Sequence, residues 1–326
     1  MLHDLSIDQL DGGLNFIDIG ASGGFPRDWE QLKARINYFA FEPNAEECER
    51  LRKEASPFHA VEWFPTAVAG SAGEAPIYMT RDPFCWSLLN PNRPFLDRFT
   101  FGEKFIVEGT TSVSTVTLAE VMELEGVDAD ILKVDSQGLD REILEQGSAL
   151  LDRAFYVEME PGFNDSYLKE NTYAEVDAFM REQGFRLFDL NCHRVPRNNV
   201  MQAHVAGAAQ IIWAESVWLR DYVWMDQQGC FPLISRGKAL KVLLICEVER
   251  RYDFGLELAE LFESKGLLTQ AEVQALLERW PLPPPPPDPG PASFLRSLLR
   301  LLPWSLRARI AAAASESLND QHLFKG

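Results

Sequence analysis

The sequence is poor in cysteine, histidine and positive charge, and it has no long apolar run. Its five cysteines, Cys48, Cys85, Cys192, Cys230 and Cys246, are scattered, odd in number and without a C-x-x-C pair. That argues against a disulfide framework or a zinc cluster and favours free thiols in a reducing cytoplasm. The five histidines are His3, His59, His193, His204 and His322. His193 and His204 fall in a late segment expected to face substrate, although an isolated histidine is more often a satisfied surface or core residue. No stretch reaches the ~20 apolar residues of a spanning helix, and Met1-Leu2-His3-Asp4 shows no basic region before an apolar one. A soluble intracellular protein is the expectation. Only 31 basic residues face 49 acidic ones, for a net charge of -18. Residues 281–326 carry five basic and three acidic residues, which leaves -20 on the rest. Such an acidic body repels nucleic-acid phosphates, so DNA or RNA is not expected as a partner.

What is present is an ordinary globular balance of 46% hydrophobic and 25% charged residues over 326 positions. It suffices to bury a sizeable core in one large domain with an extension, or in two domains. Asn15–Ile19, after the turn Asp11-Gly12-Gly13, reads as a buried strand. Tyr38–Phe41, Ile131–Asp135, Ala154–Glu160, Phe185–Leu190 and Gln210–Arg220 read likewise, with Glu62–Phe64 and Thr66–Ala69 as a third strand region. Trp29–Ile36, Ala45–Glu54, Leu118–Leu124, Arg141–Gln146 and Tyr173–Gln183 read as helices, and residues 70–112 as irregular. This alternation predicts crossover connections and a doubly wound, mostly parallel α/β sheet covered on both faces.

The α/β domain is expected over residues 1–237. Leu240–Arg251, Leu256–Lys265 and Ala271–Trp280 are helical patterns with no strand between them, and predict a C-terminal helical appendage over 238–280. A proline-rich linker over 281–291 and an amphipathic basic tail over 292–326 follow. The tail sets Phe294, Leu295, Leu298, Leu299 and Leu302 on one stripe, away from Arg296 and Arg300. With Trp304 it suits an inner membrane surface or a partner helix. Pro303 interrupts it, and packing on the appendage or homo-oligomeric self-association competes with that reading.

Ligands of doubly wound sheets sit beyond the carboxyl ends of the strands, so the residues after Ile19, Phe41, Val134 and Val157 are the first candidates. Asp18-Ile19-Gly20-Ala21-Ser22-Gly23-Gly24 stands at a strand-to-helix turn, where glycines let the backbone approach a ligand. Glu42 closes the next strand, where a carboxylate can accept hydrogen bonds from both ribose hydroxyls. Asp18, Gly20, Ala21, Ser22, Gly23, Glu42 and Asp135 are the expected cofactor-binding residues. The spacing departs from the G-x-G-x-x-G of a pyrophosphate loop. An acid at Asp18 suits an ammonium and a sulfonium and repels a pyrophosphate. Both features favour S-adenosylmethionine over NAD. A glycine-rich turn with no ligand is the competing reading.

Ile131-Leu132-Lys133-Val134-Asp135-Ser136-Gln137-Gly138-Leu139-Asp140-Arg141-Glu142-Ile143-Leu144 supplies a second block. With the first loop and Phe41-Glu42-Pro43-Asn44 it resembles the FkbM-type methyltransferases, which show Lys-(apolar)-Asp-x-(Gln/Glu)-Gly-x-Glu before a Leu-containing helix. Val116-Thr117-Leu118, Tyr156–Glu160 and Phe188-Asp189-Leu190 are similar too, and the likeness covers about residues 14–220. Asp140 stands where Glu is usual, and an extra residue falls between Leu144 and Gly147. The resemblance implies a Rossmann-like class I methyltransferase fold, S-adenosylmethionine as cofactor, and methyl transfer to a hydroxyl of a sugar, a glycan precursor or a polyketide. Spacing alone also permits N-methylation.

Such a displacement needs an aligned acceptor and excluded water, and a sugar hydroxyl needs a base within reach. Asp135, Glu158 and Glu160 are the candidate catalytic residues. Asp135 can equally serve only to hold the cofactor or cap the next helix. Glu158 and Glu160 alternate onto one strand face; they can bind a sugar, supply the base, or join Asp135 around a divalent cation. No histidine accompanies them at ligand spacing, so no metal is expected, and a solvated sheet end explains them more simply. Phe84, Trp86 and Tyr167 can stack on a sugar ring, though buried aromatics are commoner. Two rivals stand beside this reading. One is a nucleotide-dependent oxidoreductase, for which no dinucleotide loop is present. The other is a catalytically silent cofactor- or glycan-binding module.

Overall fold

In the computed structural model, residues 2, 5–53, 57–125, 128–198 and 209–280 are described. The proline-rich linker and the amphipathic tail lie outside the described residues, as do His3, His204 and His322. The described strands are β1 (Leu14–Ile19), β2 (Ile36–Phe41), β3 (Ala60–Phe64), β4 (Ala67–Val68), β5 (Gly73–Thr80), β6 (Val107–Val116), β7 (Ile131–Val134), β8 (Tyr156–Met159), β9 (Phe185–Val195) and β10 (Gln210–Arg220). The helices are α1 (Ala45–Lys53), α2 (Arg93–Leu96), α3 (Leu118–Glu125), α4 (Asp140–Glu145), α5 (Ser148–Leu151), α6 (Tyr173–Glu182), α7 (Tyr222–Gln227), α8 (Arg236–Val248), α9 (Tyr252–Ser264) and α10 (Gln270–Arg279).

The main sheet runs in the order β3-β2-β1-β7-β8-β10-β9. All neighbours are parallel except β10, which is antiparallel to both β8 and β9. The order reverses between β1 and β7, which opens a crevice at their carboxyl ends. Burial decides which residues can build the strands. Ile17, Ile19, Leu132, Val134, Val157 and Met159 project to one face and pack, fully or nearly fully buried, with Leu118, Ile143, Leu144, Leu150, Val176 and Met180 from α3 to α6. The opposite face is covered near β1 and β8 by Trp29, whose ring lies edge-on to Phe16 and Tyr156, 5.9 and 5.5 Å away. Thr172 and Glu175 form a capping box that fixes the start of α6.

Two expectations give way to the structure. The first crossover is a 3-10 helix, Arg27–Arg35, and not a regular α-helix. Residues 70–112 are not irregular throughout: β5 and β6 pair antiparallel, and with β4 make a three-stranded sheet in the order β4-β6-β5. These strands are hard to read because β5 holds Gly73 and Pro76, while β6 is rich in Ser and Thr and half-exposed, so neither alternates cleanly. α8, which opens at Arg236, belongs to the same compact unit as the sheet. The Lys238 and Lys241 ammonium groups lie 2.5 and 2.9 Å from the buried Asp130 carboxylate just before β7. A Cβ on Gly237 would stand 2.1 Å from the Asp11 side chain. No helix among the described residues is long and apolar enough to cross a membrane.

Candidate active site

The turn after β1 is fastened to both neighbouring strands. The N–H groups of Gly20 and Ala21 both donate to the Phe41 carbonyl, at 3.0 and 3.1 Å, and Asp135 N–H donates to the Ile19 carbonyl at 2.9 Å. Gly20 adopts φ +79°, and a Cβ there would lie 2.2 Å from the Asp135 carbonyl oxygen. Only glycine can occupy this point, where the β1 and β7 turns meet.

A crevice opens above this contact, at the carboxyl ends of the strands where ligands of doubly wound sheets sit. Of the expected residues, Gly20, Ser22, Glu42 and Asp135 line it, and Trp86 joins them with apolar surface from Ile19, Phe41, Val68 and Leu139. Glu42 is buried and takes the Asn44 N–H at 2.7 Å. Burial pushes its carboxyl up to about 7, against the pull of that hydrogen bond, and Glu47 and Asp135 add repulsion.

Other expected residues are placed elsewhere. Asp18 does not line the crevice: its carboxylate is fully buried, accepts the Tyr38 hydroxyl at 2.7 Å, and pairs with Lys133 at 3.3 Å on the neighbouring strand. Its charge is thus met from inside the protein. Ala21 is buried with its N–H spent on Phe41, and Gly23 has Phe84 as its nearest neighbour, 3.8 Å from a notional Cβ. Glu158 accepts the Tyr156 hydroxyl at 2.9 Å and lines neither this crevice nor the next cavity. Burial, opposed by Lys133, holds its carboxyl above the usual range.

Glu160 lines an adjoining cavity with Tyr167 and Trp213. Burial and the Asp135 charge push its carboxyl up to about 8, with Lys133 opposing. Gln137 stands between the two spaces. Its Nε2 donates to Asp135 Oδ1 at 2.8 Å, its Oε1 accepts the Tyr167 hydroxyl at 2.9 Å, and its carbonyl accepts the Ser87 hydroxyl at 2.9 Å. Next to it Gly138, at φ +107°, leaves room for Glu170, whose Cβ would be 2.8 Å from a Cβ there. These contacts give the Gln-Gly pair of the sequence block a physical reason. Ser87 and Glu170 carry no local signal that would have marked them. Asp140 opens α4, accepts the Ser136 hydroxyl and lines neither space; burial pushes its carboxyl up to about 7. His193 stacks on Trp213 at 4.7 Å and approaches Glu215 at 3.1 Å. Among the described residues no group of three His, Cys, Asp or Glu side chains is placed to hold a metal ion.

The model of the methyltransferase FkbM domain matches residues 18–187. Among solved structures, one described as an antibiotic-related methyltransferase is 16% identical, with 66% of this chain and 95% of that chain covered and a TM-score of 0.27. No curated protein matches.

Proposed function

Because the match over residues 18–187 spans more than half of its length, the chain belongs to the FkbM methyltransferase family, and we propose that it uses S-adenosylmethionine to methylate a hydroxyl of a sugar, glycan or glycan precursor. The observation that carries this reading is the pairing of two spaces across Gln137, one cradled by Gly20 and Glu42, the other holding Glu160. The residues present fit the donor. A Cβ would fill the Gly20 cradle, Glu42 offers a buried carboxyl for ribose hydroxyls, and Trp86 and Leu139 offer apolar surface for a base. Bound there, S-adenosylmethionine supplies an electrophilic methyl group whose carbon–sulfur electron pair leaves on sulfur.

The chain's own groups do the rest. Glu160 accepts the acceptor hydroxyl's proton as the oxygen lone pair forms the new bond to carbon. Its raised proton affinity, about 8, makes its ionised form a stronger base than a solvated carboxylate once the pH reaches that value. Gln137 fixes the Asp135 carboxylate, and the rings of Trp86 and Tyr167 exclude water. The free state of all five cysteines suits the reducing conditions of the cytoplasm, where we place the protein.

The test is incubation with methyl-labelled S-adenosylmethionine and a panel of glycosides and amines, followed by mass spectrometry. Label on a glycoside oxygen is expected. Label on amines alone would move the reaction to N-methylation. Donor binding with no transfer to any acceptor would favour a silent module.

A further inference from the structure

The cavity beside the cofactor crevice measures about 260 Å³ and shares Phe84 and Gln137 with it. Its wall is aromatic and fixed. Phe101 stacks on Trp213 at 6.0 Å, and Phe105 meets Tyr167 edge-on at 5.7 Å. Set among these rings are the carboxyl groups of Glu160 and Glu170. Glu170 is built in: its two oxygens accept the N–H groups of Ser166 and Tyr167 at 3.0 and 2.8 Å, and a Cβ on Gly162 would stand 2.5 Å from one of them. Among the described residues lining the cavity, the one cationic side chain is Lys104, and Asp82 already holds it at 2.9 Å. Three carboxyl groups thus face a single paired lysine. Among the described residues the cavity offers ring surface and hydrogen-bonding groups but no uncommitted arginine or lysine for the charge-assisted contacts an anion needs, and like charges across an interface are strongly disfavoured.

Resting on the assignment of the first crevice to the methyl donor, we propose that this second cavity is the acceptor site and that it selects a neutral ring-bearing polyol, a sugar without phosphate or carboxylate, by like-charge exclusion. Ring faces and edges of the wall cover the apolar side of such a sugar, and Glu160, Glu170 and Gln137 meet its hydroxyls. Above about pH 8, where Glu160 and Glu170 have lost their protons, a phosphate or carboxylate on the same ring would sit among the charges of Asp82, Glu160 and Glu170.

The experiment uses the full chain loaded with S-adenosylhomocysteine, the unreactive product, and calorimetric titration at pH 8.5. The neutral probes are methyl glucoside, methyl galactoside and methyl rhamnoside; the charged probes are methyl glucuronide and glucose 6-phosphate. At least one neutral glycoside is expected to bind, with charged probes at least tenfold weaker. Glu160→Gln is expected to narrow that gap to threefold or less. Equal or tighter binding of a charged probe to the native chain would overturn the proposal. So would an unchanged gap in Glu160→Gln, or no neutral glycoside binding to the loaded protein. If S-adenosylhomocysteine fails to bind while the neutral sugar still binds and the anion is still rejected, the donor assignment falls and the selectivity stands.

Discussion

Replacing Glu42 by glutamine removes one charge from the crevice while keeping an oxygen able to accept the Asn44 N–H, now 2.7 Å away. The carboxyl is raised to about 7, chiefly by burial, so it is mostly neutral at pH 5.5 and mostly ionised at pH 8.5. A ligand that favours the ionised form therefore binds more tightly as pH rises through about 7. Hydrogen bonds to charged groups contribute ~1.5–3 kcal/mol and those between neutral groups ~0.5–1.5. The difference is about 1 kcal/mol per ribose hydroxyl, or about 2 kcal/mol for two, which is about thirtyfold in affinity. Calorimetric titration with S-adenosylhomocysteine, which keeps the ribose but lacks the sulfonium charge, separates this effect from donor charge. Glu42→Gln is expected to weaken binding about thirtyfold at pH 8.5 and less than about threefold at pH 5.5. An equal loss at both pH values, or no loss at pH 8.5, would refute the ribose role.

Other consequences are as direct. Gly20→Ala must adopt a left-handed conformation that costs ~1–2 kcal/mol and push a methyl toward the Asp135 carbonyl; it is expected to lower the melting temperature and weaken S-adenosylhomocysteine at least tenfold, whereas unchanged binding would remove Gly20 from the site. Glu42, Asp140, Glu160 and Glu170 are all raised, to between about 7 and about 8, so the folded chain holds more protons than the unfolded one from the ordinary carboxyl range up to about 8. Stability should then fall as pH rises from 5.5 to 8.5, and a melting temperature that climbs over that range would contradict the burial of these groups. Methyl transfer should rise as Glu160, facing Asp135, Lys133, Glu215 and Asp140, loses its proton near pH 8, and Glu160→Gln should abolish that limb; a profile unchanged in the variant would acquit Glu160. Arg220, buried and donating to the carbonyls of Ala154, Leu151 and Gln183, should cost about 3 kcal/mol of unfolding free energy when replaced by methionine; a loss under about 1 kcal/mol in urea denaturation would show that water satisfies those carbonyls.

What could be read from the sequence was local. The β1 strand, the Gly20 turn and Glu42 each announce themselves within a few residues, because an apolar run, a glycine and a terminal acid follow from the chemistry of one strand end. The parallel order follows from the alternation of strands and helices. What escaped depends on distant partners. Asp18 looks like a cofactor contact until Lys133, 115 residues away, is seen beside it. Gln137 gains its position from Tyr167, 30 residues on, and Gly138 from Glu170. The polar, half-exposed β6 acquires strand character only through its pairing with β5. Glu158 and Glu160 read as alternating onto one strand face, but β8 ends at Met159, Tyr156 claims the first and the second lines the cavity.

The most direct measurement is a crystal structure of the full chain soaked with S-adenosylmethionine. The expected result is donor density between the Gly20 turn and Glu42, with the ribose hydroxyls on the Glu42 carboxylate and the methyl group directed toward the cavity that holds Glu160. Donor bound anywhere else, or a crevice left empty at saturating donor, would contradict the assignment.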